Sequence, residues 1–376
     1  MSAPTGGRFV AVTAPGRVEL RRGPRPAVHP ADLLARITAA GVCGTDVHLV
    51  HSPRPFPWRE QQYPFRLGHE WTGRIEEAGS SFPLVDTDGT PLGVGDRIVA
   101  YPSTWACGRC YACRILLAPN LCLRPAFPRP LPPDGSAFAD WFYLPEGSAL
   151  FRVPDTMSDH VAALTEPLAA ALRAFERSCL PGDPERSRGA GLGRSLVVLG
   201  SGPVGALVVA LGRMAGCEPV IVVGGPPPRL DLCRELGADI VLDIATVDRQ
   251  ARIEEVRRAT PHRLGADAIV EAAGVPEALL DGIEMCRAGG TLVEVGHYTD
   301  RGTIAINPLA LCRKDINLFG CWGYGPQHFG RALRVLGAHG TLLGRLVTNT
   351  FPLDAIAEAL EMVRRQACMK AVIEMA

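Results

Sequence analysis

SLVVLGSGPVGALVVALGRMAG, residues 195–216, is the stretch that decides the fold. Its first apolar run reads as a buried strand and its second as a helix. Between them Gly200, Gly202 and Gly205 stand at G-x-G-x-x-G spacing, with Pro203 and Val204 opening the helix. Glycines so placed permit a tight turn, close approach of backbone to a pyrophosphate, and close helix–strand packing. The motif alone is weak. Its context is strong, because PVIVV, DIVL, DAIVEAAG, TLVEVGH and INLFG follow as strand candidates, separated by amphipathic helical stretches. That alternation predicts an α/β domain with a doubly wound parallel sheet that binds a dinucleotide.

One departure bears on the cofactor. A site for NAD carries an acidic residue about twenty positions after the glycines, bonding the adenosine ribose. By register that position is Gly224, at the end of PVIVV. Without a carboxylate there, nothing repels a 2′-phosphate, which places NADP ahead of NAD. Arg229, five residues on, is the cation available to pair with that phosphate or to flank the adenine. Asp231 is a poor substitute for the missing acid, since it falls on the following helix.

Working outward toward the N-terminus, GVCGTDVH (41–48) and LGHEWTG (67–73) supply Cys43, Thr45, His48, His69 and Glu70. A thiolate and an imidazole on separate loops are ligands that suit zinc, and a catalytic zinc leaves one position open. The Thr45 hydroxyl is two residues from Cys43, within reach of an oxygen at the metal. Further on, CGRCYACRILLAPNLC holds Cys107, Cys110, Cys113 and Cys122 at C-x2-C-x2-C-x8-C spacing. Four thiols so close together predict a closed, structural zinc site rather than a redox pair or disulfides.

GVCGTDVH, LGHEWTGRIEEAG and GDRIV resemble the signatures of the zinc-dependent medium-chain dehydrogenase/reductase family, the alcohol and polyol dehydrogenases. The resemblance runs in register across nearly the whole chain. It implies a β-rich, GroES-like catalytic domain over residues 1–170 and 325–376, and a Rossmann cofactor domain over 171–324. It also implies two zinc ions per chain, one catalytic and one structural. In polyol-type members an EPL segment carries a glutamate facing the catalytic zinc, and here that residue is Glu166. Either Glu166 or Glu70 ligates the metal directly; Glu166 is preferred, with Glu70 supporting it.

By the same resemblance Thr45 and then His48 relay the proton, the strand ends Val270, Glu271, Ala272 and Val295, Gly296, His297 line the nicotinamide, and Lys370 contacts a cofactor phosphate. The last spacing in the cysteine lobe is eight residues, where the family usually has seven. The implied reaction is hydride transfer between a secondary alcohol, polyol or cyclic, and NAD(P). An NADPH-dependent ketone or aldehyde reductase is the alternative, and a dismutase that retains its cofactor is a more distant one. A non-catalytic binding protein on this fold is disfavoured by the intact set Cys43, Thr45, His69 and Glu166. Relatives form homodimers or homotetramers.

Composition bounds the rest. A chain of 376 residues fits about two domains. Lysine plus arginine equals aspartate plus glutamate at 39 each, with no basic run, which argues against nucleic acid or a membrane surface as partner. The N-terminus lacks a signal-peptide pattern, so the twelve cysteines read as free or metal-bound thiols in the cytoplasm. The proline- and aromatic-rich segment 51–64 is a possible pocket wall. Phe56, Trp58, Trp71, Trp141 and Trp322 are each as suited to packing as to lining a substrate.

Overall fold

A computed structural model describes residues 6–54, 62–101, 106–122, 136–179 and 189–375. The chain divides into two compact units, Met1–Glu166 with Tyr324–Ala376, and Pro167–Gly323. The boundary falls in the first turn of the helix Thr165–Ser178. Phe56 and Trp58 lie outside the described residues.

In the second unit six strands form one parallel sheet: Leu196–Leu199, Val220–Gly224, Ile240–Asp243, Ala266–Glu271, Cys286–Glu294 and Asn317–Gly320. Their spatial order is third, second, first, fourth, fifth, sixth. This is the doubly wound order whose direction reverses between the first and fourth strands, where dinucleotides bind. The first strand is fully buried, which explains its unbroken apolar sequence. It runs through Gly200 into the helix Pro203–Met214, which Gly202 caps and Pro203 opens. The fifth strand stops at Glu294, short of the expected Val295–His297. The N–H groups of Val295 and Gly296 leave the ladder to donate to the Glu271 carbonyl.

The first unit is mostly antiparallel. A seven-stranded sheet runs Val347–Pro352, Lys370–Glu374, Leu33–Gly41, Glu70–Ala78, Arg97–Ala100, Leu150–Arg152, with Trp141–Leu144 also paired to Leu33–Gly41. A smaller sheet joins Gly6–Ala14, Arg17–Pro24 and Phe65–Arg66. The strands Gly6–Ala14 and Arg17–Pro24 form a hairpin, turned at Gly16 with φ 74°. Val10, Ile37, Trp71, Ile75, Ile98, Phe138 and Ile373 form the core between these elements. Among the described residues no helix is long and apolar enough to cross a membrane.

Candidate metal centre and cofactor turn

Cys43 is the N-cap of the helix Gly44–His51, so its thiol sits where the chain leaves a strand. His69 and Glu70 lie where the next strand begins, and that strand pairs with Leu33–Gly41 through Glu70 opposite Gly41. Sheet pairing thus brings two distant segments together. Ligand atoms of Cys43, His69 and Glu70 all lie within 4.8 Å of one another. Gly41 is required here because a Cβ on it would run into the Glu70 carboxylate.

Two charged side chains that hold this site escaped the sequence reading. Asp46, fully buried, accepts from the Cys43 N–H at 2.9 Å and the Gly68 N–H at 3.2 Å. Its Oδ1 lies 3.6 Å from His69 Nδ1. Burial works against charge on His69, but Asp46, with Cys43 and Glu166, outweighs it and holds the imidazole pKa well above its usual value. The legible signal was an acidic residue three positions after the N-cap, the spacing of a capping box.

The second is Lys370, and it corrects an expectation. Rather than standing at a cofactor phosphate, its ammonium is buried in the first unit, 2.6 Å and 2.7 Å from the two Glu70 oxygens and 3.1 Å from the Val42 carbonyl. Side-chain exposures of 2% and 1% make this a closed ion pair. Burial disfavours the ammonium, yet Glu70 and Cys43 outweigh that and raise its pKa. The strand Lys370–Glu374 is central in the sheet, which is why the side chain points inward.

Glu166 occupies the first turn of its helix, and Tyr324 Oη donates to its Oε1 at 2.6 Å. Burial raises its pKa, His69 opposes that, and Glu70 adds to it, so Glu166 lies in the same electrostatic field as the cluster. Burial and then Glu166 keep the Tyr324 phenol neutral far above its ordinary range. Tyr101 Oη in turn donates to the Tyr324 carbonyl at 2.6 Å. Thr45 and His48 are three residues apart on the helix Gly44–His51 and share a face.

The four lobe cysteines also converge, with Cys110 Sγ 3.5 Å from Cys113 Sγ and 3.7 Å from Cys122 Sγ. The Arg109 N–H, and then that of Cys110, push the Cys107 thiol down to about 6. Burial and the neighbouring sulfurs push Cys113 up to about 12. Tyr111, Ile115, Leu116 and Leu117 around them are exposed, so the described residues of this lobe supply almost no apolar core to hold it. Four soft donors in a coreless loop fit a structural zinc.

In the second unit each glycine of the turn has a distinct reason. A Cβ on Gly200 (φ 108°) would lie 2.7 Å from the Ala273 nitrogen, and one on Gly205 would run into the Gly200 carbonyl. On Gly202 it would meet nothing within 4 Å, which leaves the backbone open to a ligand. Gly224 ends its strand against Ser201, whose Oγ would stand 2.5 Å from an added Cβ. Arg229 is buried in the first turn of the helix Pro227–Glu235, and Asp231 lies on that helix, ion-paired with Arg234. Ala272 follows the fourth strand, and its N–H donates to the Leu199 carbonyl beside the turn.

Of the aromatic candidates, Trp71 is a core residue stacked on Phe142 at 4.6 Å. Trp141 lies beneath Gly7, where any Cβ would overlap its ring, with the Arg36 guanidinium 5.8 Å from its centre. Trp322 stacks on Tyr298 at 4.5 Å.

With that geometry in place, the resemblance can be measured. The alcohol dehydrogenase GroES-like domain family matches residues 29–155, and the zinc-binding dehydrogenase family matches residues 203–338. The 5-exo-hydroxycamphor dehydrogenase of Pseudomonas putida is 32% identical over 348 residues, 92% of each chain. The sorbitol dehydrogenase of Bacillus subtilis is 30% identical, covering 95% of this chain and 94% of its own. An alcohol dehydrogenase from Thermotoga maritima superposes with a TM-score of 0.87 at 27% identity, covering 99% of this chain and all of that one. The chain belongs to the zinc-dependent medium-chain dehydrogenase family. It is an oxidoreductase of the kind that acts on CH–OH donors.

Proposed function

We propose that the chain oxidises and reduces a secondary alcohol, cyclic or polyol, with NADP preferred to NAD, and that Cys43, His69 and Glu166 hold its catalytic zinc. The observation that carries this reading is the convergence of the Cys43 thiol and the His69 imidazole at the Gly44–His51 helix, with Glu166 near enough to His69 to share its electrostatic field. The donor set fits the metal: borderline-soft sulfur and nitrogen with one carboxylate. Glu70 has both oxygens engaged by Lys370, whereas the Tyr324 phenol occupies only one side of Glu166, which favours Glu166 as ligand. When bound, zinc supplies Lewis acidity that lowers the pKa of a substrate hydroxyl, and the nicotinamide supplies the hydride acceptor.

The chain's own residues do the rest. Asp46 fixes the His69 ring, and Lys370 holds the buried Glu70 in place. Thr45 takes the hydroxyl proton as it hands its own to His48, which passes it on. Gly202 opens the helix N-terminus to the pyrophosphate. At Gly224 no carboxylate opposes a 2′-phosphate, and Arg229 follows on the next helix. The names of the hydroxycamphor and sorbitol dehydrogenases support the substrate class.

The four lobe cysteines hold a second, structural zinc. The absence of any disulfide among the twelve cysteines favours a reducing cytoplasm. Among the described residues no strand pairs with the outer edge of Asn317–Gly320, which favours a homodimer or homotetramer. The test is a panel of cyclic alcohols and polyols with each cofactor, read by nicotinamide absorbance. Turnover that is faster with NADP is expected. Zinc-replete protein that turns over none of the panel with either cofactor would overturn the proposal.

A further inference from the structure

Glu271 ends the fourth strand of the parallel sheet and Glu294 ends the fifth, in register opposite it. His297 follows three residues later. Ligand atoms of the three lie within 4.8 Å of one another, and none of the three is a residue given a metal above. Glu271 is fully buried, and its Oε1 accepts from the N–H groups of Ala273 and Gly274, both at 2.8 Å. Among the described residues its Oε2 has no hydrogen-bond partner, and neither has Oε2 of Glu294. The His297 N–H donates to the other Glu294 oxygen at 3.2 Å. Burial and then Glu294 push the Glu271 carboxyl up to about 9. Burying such oxygens unpaired is costly, so a shared proton or a cation has to satisfy them.

We propose that Glu271, Glu294 and His297 bind a third divalent cation, of the zinc class, inside the cofactor unit. Two carboxylates and an imidazole are a donor set suited to zinc. For bonds of about 2.1 Å, tetrahedral ligands stand about 3.4 Å apart. His297 Nδ1 is 2.9 Å from Glu294 Oε1 and 3.8 Å from Glu271 Oε2, which brackets that spacing. The sulfurs of the cysteine lobe, at 3.5 Å and 3.7 Å, fall on the same scale. The site is also built, since any Cβ on Gly296 would run into Glu271 Oε2. Side-chain exposures of 23% for His297 and 19% for Glu294, against none for Glu271, give the ion a route in from one side. Bound there, it ties the carboxyl ends of two neighbouring strands to the loop after them.

The test uses the full-length chain equilibrated with micromolar Zn2+, freed of excess metal and analysed for its zinc content. Wild type should retain one equivalent more than Glu294→Gln and one more than His297→Gln. The difference should persist in a Cys43→Ser background, so failure of the catalytic-zinc reading cannot imitate failure of this one. Co2+ titration of the wild type gives an independent readout in case a variant misfolds. Thiolate sites add sulfur-to-metal charge-transfer absorption, whereas an equivalent bound by nitrogen and oxygen adds only weak ligand-field bands. Equal zinc in wild type and both folded variants would overturn the proposal and leave a shared proton between the carboxyls. So would a Co2+ titration that ends once the thiolate bands saturate.

Discussion

The Lys370–Glu70 pair makes the sharpest prediction, because it is closed to solvent and joins positions 300 residues apart. Lys370→Met keeps most of the apolar stem but strands the Glu70 carboxylate, 1% exposed, without its cation. Breaking a buried pair from one side costs about 3–5 kcal/mol. For a unit of this size, at about 2–4 °C per kcal/mol, the melting temperature should fall by roughly 6–20 °C. Calorimetry on the metal-replete protein reads this, provided the transition of the first unit is resolved from that of the second. Glu70→Gln in the Lys370→Met background should recover a large part of the loss, so the double-mutant cycle should give coupling of at least about 2 kcal/mol.

The sign with pH follows from the raised lysine pKa. The contribution is complete below the ordinary value of 10.5 and disappears only as pH rises through the higher folded value. A Lys370→Met protein that melts with the wild type, or a cycle whose single costs simply add, would refute the account of the pair.

Four further variants test other contacts. Asp46→Asn should weaken zinc binding about 10–100-fold in a chelator competition, because the buried charge opposite His69 Nδ1 is gone. Gly202→Ala should leave unfolding stability within about 0.5 kcal/mol of wild type while weakening cofactor binding, measured by nucleotide titration, since its Cβ meets only open space. Gly205→Ala should also destabilise the unit by about 1–3 kcal/mol, since its Cβ overlaps the Gly200 carbonyl. Asp267 is buried, but bonds from the Ser195 N–H and hydroxyl, and from Arg287, outweigh the burial and lower its pKa. Its contribution is present above the ordinary value of 3.8 and lost as pH falls through the lower folded value, so Asp267→Asn should flatten the acid limb of stability measured by urea unfolding.

What was legible in the sequence was whatever a local chemical demand had written there. The turn at Gly200 and Gly205 needs glycine because backbone atoms stand where a Cβ would be, so fold and cofactor class could be read from 22 residues. Cys43 and His69 were legible as ligand types, and the four lobe cysteines by their spacing. Lys370 was not, because no local pattern marks a strand lysine that meets a glutamate 300 residues earlier, and family likeness pointed it at a phosphate instead. Asp46 lay inside a quoted motif, but its acceptance from the Gly68 N–H and its approach to His69 exist only once the strand beginning at Glu70 has paired. Tyr324 escaped for the same reason: its partner Glu166 lies 158 residues away.

Glu70, beside Cys43, and Glu166, in the field of His69, differ in their partners, and on the proposed reading that difference divides their labour. Glu70 meets an ammonium that is itself sealed from water, so its charge is already balanced and both oxygens are taken. Another cation there would compete with Lys370 and leave that lysine buried without a counterion, at a cost of several kcal/mol. Glu166 meets a phenol that stays neutral, and burial lifts its own pKa despite the opposing pull of His69 and Lys370, so its charge is the less balanced of the two. A divalent cation arriving beside Cys43 and His69 would therefore gain more from Glu166 than from Glu70. Lys370 then acts at the metal centre only through Glu70, which it fixes, and Tyr324 sets which lone pairs of Glu166 remain to be offered.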